Sequence, residues 1–146
     1  MPIVKGCNLP DGLLYDVENH IWFAEQGDGT VKLGMTAVAT AMAGQLVAFT
    51  PRKAGRKVDA GKSCATVESG KWVGPAKSCA AGEVVKVNDD LVANPGLANQ
   101  DPYDKGWFII LRPDDWAAIK PTLVPGAAVT PRYEAKMQAD GFAGCP

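Results

Sequence analysis

A mainly β fold is predicted: a flattened β-sandwich or hybrid barrel, with a short helix after the first strands and a small helical C-terminal appendage. Three observations predict it. Strand-compatible runs recur between Tyr15 and Leu111. Gly (16) and Pro (11) are too frequent for a helical bundle and argue for many turns and short elements. Two small-residue turns, Val58-Asp59-Ala60-Gly61 and Ala80-Ala81-Gly82, each enter a strand on either side of a central hairpin, as two related half-units would.

The elements follow in order. Tyr15 and Val17, then Ile21-Trp22-Phe23, then Val31 to Met35 read as strands, with Gly27-Asp28-Gly29 as a turn. Thr36 suits the N-cap of a short helix over Ala37 to Ala43, because its hydroxyl can accept from an unpaired first-turn amide. Gly44 ends that helix. Leu46 to Phe49 returns to strand. Pro51 to Gly61 is turn-rich, and Arg52, Lys53, Arg56 and Lys57 with the following Lys62 give a solvated face. β-Compatible residues flank Ser69-Gly70, which predicts a hairpin with Lys71 at its tip. Gly82 to Asn88 is a further strand, Asn94-Pro95 and Asp101-Pro102 mark a loop, and Trp107 to Leu111 is a core strand. Beyond Arg112, Asp114 to Lys120 can form one or two helical turns and Tyr133 to Ala139 a short helix. Pro121, Pro125 and Pro131 interrupt regular structure, and the last residues are read as loose. The organisation is therefore a β domain over 1–112 and an appendage over 113–146 packed on it.

Composition narrows function. The chain has 146 residues, enough for one domain with a modest core. Lys+Arg is 15 and Asp+Glu 16, so the surplus of cations that phosphate neutralisation needs is missing and nucleic acid is a poor partner. Apolar runs are too short to span a membrane, and the first residues lack a signal-peptide pattern, which predicts a cytoplasmic protein. His20 is the one histidine, so poly-His metal sites are excluded and no metal is expected. The cysteines Cys7, Cys64, Cys79 and Cys145 show no C-x-x-C spacing and are expected to be reduced thiols, with Cys145 on a mobile tail. Cys64 lies seven residues before Lys71 and Cys79 eight after it, so a hairpin sets them roughly opposite each other. The plain reading is two small buried hydrophobes; the sharper one is a thiol pair that handles sulfur.

Several segments in order carry a family pattern. His20-Ile21-Trp22-Phe23 looks like an H-E-W-V opening, and Val31 to Thr36 like V-x-V-G-I-T. Val67-Glu68-Ser69-Gly70-Lys71 matches V-E-S-V-K, and Gly82 to Asn88 matches G-E-V-V-E-V-N without a gap from Lys71. Asn94-Pro95, Leu97, Asn99, Asp101-Pro102-Tyr103 and Gly106-Trp107 follow N-x-x-P-x-L-V-N-x-D-P-Y-G-x-G-W approximately. The chain thus resembles the H protein of the glycine cleavage system, in the lipoyl/biotinyl-domain superfamily. The resemblance implies a lipoyl-type fold, lipoate on Lys71, and Gly55, Glu68 and Gly82 in recognition by the lipoate-attaching enzyme. It also implies a carrier, not an enzyme, serviced by dihydrolipoamide dehydrogenase, with His20 as a core or edge residue; a carrier that visits several active sites is expected to be a small monomer.

The chain departs from that pattern at Gly70, at Trp72-Val73-Gly74 after the lysine, at Cys79, and in its Pro-rich tail. Trp72 is a candidate arm contact or a residue packed across the hairpin. The departures resemble lipoate-binding proteins of sulfur-oxidising prokaryotes, which implies a partner of the heterodisulfide-reductase type in dissimilatory sulfur oxidation. The alternatives are a glycine cleavage H protein carrying the aminomethyl group among the glycine cleavage enzymes, and an unmodified interaction module.

Overall fold

The computed structural model describes residues 3–146; Met1 and Pro2, which open the segment read above for a leader, lie outside the described residues. Two short strands, β1 (Ile3–Val4) and β2 (Cys7–Asn8), form a hairpin. β3 (Leu14–Asp16), β4 (Ile21–Glu25) and β5 (Val31–Met35) make an antiparallel meander. Helix α1 (Ala37–Ala43) follows. Thr36 Oγ1 accepts from the Ala39 amide at 3.3 Å, and Gly44 closes the helix at φ +86°. Then come β6 (Leu46–Pro51), β7 (Lys57–Val58), β8 (Lys62–Ser69), β9 (Val73–Ser78) and β10 (Gly82–Val87).

Between β10 and β11 (Ile109–Pro113) the expected loop holds two short helices, α2 (Asp89–Ala93) and α3 (Leu97–Gln100). They form because Leu91 and Ala98 are buried in the core, and packing supports helices too short to persist alone. Asn88 braces the segment from its buried position, donating Nδ2–H to the carbonyls of Lys105 and Trp107 at 2.8 Å each.

The chain ends with α4 (Trp116–Ile119), a 3-10 turn over Lys120–Thr122, β12 (Val124–Pro125), a second 3-10 turn over Gly126–Ala128, and α5 (Val129–Asp140). Pro131, expected to interrupt structure, lies in the first turn of α5, where its missing N–H is not needed. The tail is also fixed rather than loose. Cys145 donates its amide to the Lys5 carbonyl at 2.9 Å and is disulfide-bonded to Cys7.

The strands form a seven-stranded sheet in the order β12-β3-β4-β5-β11-β10-β7, a three-stranded sheet β6-β8-β9, and the small β1-β2 pair; none closes into a barrel. Alternation decides what each face buries. In β4, Ile21 and Phe23 enter a core between the sheets, while Trp22 points the other way. That second face packs Tyr15, Trp22 and Val38 against Leu9, Tyr133 and Met137, so both chain ends share one cluster. In β8 a register shift between Ser63 and Ala65 lets two successive residues, Cys64 and Ala65, both be buried. The Pro51–Gly61 segment is mostly exposed as expected, with Lys57 paired to Asp114 at 2.9 Å. No helix among the described residues is long and apolar enough to cross a membrane.

Candidate functional site

The site is built by the β8–β9 hairpin. Glu68 pairs with Val73, and the Ser69 amide donates to the Trp72 carbonyl at 2.7 Å, leaving Gly70-Lys71 as a two-residue loop. The Ser69 hydroxyl, on a buried residue, accepts from the Lys71 amide at 3.3 Å and fixes the turn. Lys71 is exposed. Its stem lies over the end of α1: a Cβ built on Gly44 would stand 3.2 Å from Lys71 Cε and 4.0 Å from Nζ. The absence of a side chain at Gly44 therefore makes the shelf on which the lysine rests.

The other candidate residues divide. Glu68 is exposed on the same hairpin, beside Val73 in the ladder. Gly55 is exposed, with φ +89°, in the loop before β7, and its amide donates to the Val84 carbonyl at 2.7 Å. Gly82 is buried between β7 and β11, in register with Val58 and Pro113. A Cβ there would overlap the Arg112 carbonyl and stand 2.8 Å from Pro113 Cα. Packing alone thus demands glycine at 82.

Trp72 is 40% exposed and folds over its own strand; a Cβ on Gly74 would stand 2.9 Å from Trp72 Cε2. The indole walls a small apolar cavity of about 260 Å³ with His20, Ala39, Met42 and Ala43. His20 lines the same cavity. It stacks on Tyr133 with ring centroids 5.7 Å apart, and its Nδ1 lies 3.2 Å from the Tyr133 hydroxyl. Burial, aided by Lys136, holds its imidazole below the ordinary value, which favours the neutral form.

The cysteines differ from expectation. Cys7 and Cys145 are not reduced thiols but a disulfide, with Cα atoms 5.0 Å apart. Cys64 and Cys79 are free thiols and are not register partners. The shift in β8 sets Cys64 opposite the Ala76–Lys77 step, and Cys79 lies past the end of β9. Burial pushes the Cys64 thiol up to about 12 and the Cys79 thiol up to about 11, so neither is a ready thiolate. No group of three metal-ligating side chains occurs among the described residues.

Three features escaped sequence reasoning. Gly44 is more than a helix stop, because Lys71 rests on it. Val47 (58% exposed) and Val73 (60% exposed) leave apolar surface at this end of the small sheet. A groove of about 540 Å³ runs beside α1 from Gly44 to Cys7 and Cys145. The signal for the disulfide was limited to two cysteines near opposite chain ends.

Comparison with known proteins agrees with this arrangement. The glycine cleavage H-protein family model matches residues 13–135. Glycine cleavage system H protein 5 of Aquifex aeolicus is 48% identical over 128 residues, covering 85% of this chain and 86% of that one. A probable glycine cleavage system H protein 2 of Sulfurisphaera tokodaii is 40% identical over 132 residues, 89% of each chain. The crystal structure of a glycine cleavage system H protein from Mycobacterium marinum superposes with a TM-score of 0.67 at 35% identity, covering 72% of this chain and 86% of that one. The match over residues 13–135 takes in the hairpin that presents Lys71, and the chain belongs to the glycine cleavage H-protein family, whose members are lipoyl carriers.

Proposed function

We propose that lipoate is joined as an amide to Lys71 and that the chain, as a cytoplasmic monomer without a catalytic centre of its own, carries the aminomethyl group among the glycine cleavage enzymes. The observation that carries this reading is an exposed lysine at the tip of a two-residue hairpin loop, at the position of the V-E-S-V-K lysine. When attached, lipoate supplies a cyclic disulfide that opens to take up a group and closes again on oxidation.

The chain's own residues present and steer. The Ser69 turn holds Lys71 at the exposed tip of the hairpin. Gly44 leaves room for the lysine stem to lie flat. Glu68 and Gly55 are offered to the lipoate-attaching enzyme on exposed surface. Gly82 serves that enzyme indirectly, by holding β10 against β11. Trp72 is the contact for the arm near its root, on the rim of the His20 cavity. Dihydrolipoamide dehydrogenase is the partner that restores the disulfide.

A second reading, a carrier for a heterodisulfide-reductase-type complex in sulfur oxidation, has one observation in its favour. Aquifex aeolicus has relatives numbered 2, 3 and 5, and a single cleavage system does not need several carriers. The names of the relatives favour glycine cleavage, and that reading stands first.

Incubation with a lipoate ligase, followed by intact-mass measurement, tests attachment. One lipoyl increment is expected for the chain and none for Lys71→Arg. An unmodified wild-type chain from its native source would instead support an interaction module. Glycine–bicarbonate exchange with the partner decarboxylase then tests the cargo, and no exchange with lipoylated chain leaves the sulfur-oxidation reading.

A further inference from the structure

We propose that the Cys7–Cys145 disulfide is an internal redox partner of the arm on Lys71, exchanging its disulfide for the arm's dithiol along the groove beside α1. This rests on lipoate being attached to Lys71.

The groove connects the two ends. Gly44 lines one end, and Lys71 rests on that glycine. Cys7 and Cys145 line the other. The Cys145 Sγ lies 3.7 Å from the Ala37 carbonyl, at the start of α1. From Ala37 to Gly44 the helix spans about 10 Å. A lipoyl group carries its sulfurs roughly 9 Å beyond the lysine nitrogen at ordinary bond lengths and angles. The arm laid along the groove thus ends near the disulfide.

The disulfide is asymmetric in access. Cys7 is 1% exposed, whereas Cys145 is half-buried. Attack is therefore directed at Cys145, with Cys7 as the leaving group. The other two cysteines do not compete, since both thiols are held protonated by burial. The tail that carries Cys145 is seated by its amide bond to Lys5, and Gly6 leaves the space: a Cβ there would stand 2.7 Å from the Cys145 carbonyl oxygen.

The exchange balances without an outside oxidant. One thiolate of the reduced arm attacks Cys145 Sγ, the Cys7–Cys145 bond breaks, and Cys7 leaves as a thiolate that takes up a proton. The arm's second thiolate then attacks the arm sulfur bound to Cys145. The ring disulfide forms, and Cys145 leaves as a thiolate and takes up a proton. Two electrons and two protons pass from the arm to the cysteine pair. Tethering both partners to one chain makes the step independent of protein concentration.

The experiment uses the full chain. It is lipoylated and its mass gain verified; a chain that takes up no lipoyl mass overturns the Lys71 reading and the relay with it. The arm is then reduced with NADH and dihydrolipoamide dehydrogenase, quenched in acid, alkylated and peptide-mapped. Alkylation of both Cys7 and Cys145 is expected in the lipoylated chain, at a rate unchanged on tenfold dilution with the reducing enzyme held constant. Lys71→Arg should keep its disulfide. A reduced, alkylated arm beside an intact disulfide overturns the relay and leaves attachment standing; so does a rate that falls in proportion to dilution. A trap provides a second readout. In lipoylated, oxidised Cys7→Ser, the free Cys145 thiol should open the arm's ring and yield a disulfide-linked peptide pair containing Lys71 and Cys145. A folded variant without that pair also overturns the relay.

Discussion

Lys71 rests on Gly44: a Cβ built on that glycine would stand 3.2 Å from Lys71 Cε, and the glycine itself holds φ +86°. One position therefore ends helix α1 and seats the modified side chain.

Gly44→Ala should cost about 2 kcal/mol of stability, because φ +86° with ψ −173° is a backbone region open essentially to glycine alone. It should also slow lipoylation severalfold by lifting the lysine stem from its shelf. Urea denaturation and a ligation time course by mass spectrometry measure the two effects separately. Unchanged ligation in the destabilised variant would remove the shelf from the account.

Gly82→Ala separates a packing role from enzyme recognition. The added methyl would overlap the Arg112 carbonyl and crowd Pro113, forcing β10 and β11 apart. A loss of about 2 kcal/mol is expected, in the range of overpacked cores. Gly55→Ala, at an exposed loop with φ +89°, should instead cost about 1 kcal/mol. Denaturant midpoints measure both.

Reduction of the Cys7–Cys145 bond should lower stability by up to about 5 kcal/mol, because it releases a loop that spans nearly the whole unfolded chain. The bridge joins residues 138 apart in sequence. Cys145→Ala without reductant should match the reduced wild type, and adding reductant to that variant should change nothing further. Urea melts with and without a phosphine reductant provide the comparison.

Stability should depend on pH through His20. Burial first, and Lys136 second, lower its imidazole below the ordinary 6.5, against raising effects of Asp140, Asp16 and Glu18. The unfolded chain thus binds a proton near pH 6.5 that the folded chain does not. Stability rises as pH climbs toward that value, levels off above it, and falls as pH drops below it. His20 also holds φ +57°, which Asn tolerates. Thermal melts between about pH 5.5 and 7.5 should show the slope in the wild type and a flatter one in His20→Asn.

Trp72→Ala should leave stability nearly unchanged, within about 1 kcal/mol, because the indole is 40% exposed and packs on its own strand. If it contacts the arm, the lipoylated variant should show faster arm reduction by dihydrolipoamide dehydrogenase than the wild type. Equal rates would leave it a hairpin-packing residue alone.

Features that depend on neighbours along the chain are legible from residue order. Thr36, the Ala-rich run Ala37 to Ala43 and Gly44 are sufficient for α1, because cap and stop act within a turn. Ser69-Gly70 between β-compatible runs determined the hairpin and hence the exposure of Lys71. Tertiary structure decided what depends on distant chain meeting in space. It brought Cys145 onto Cys7, set Gly82 beneath the Arg112 carbonyl, and laid Lys71 on Gly44. It also supplied the burial that pushes the Cys64 and Cys79 thiols up, and let Pro131 stand inside a helix by starting α5 two residues earlier. Local pattern encodes torsions and faces, whereas these facts rest on separations of a few ångströms between residues far apart in sequence, which only the packed chain defines.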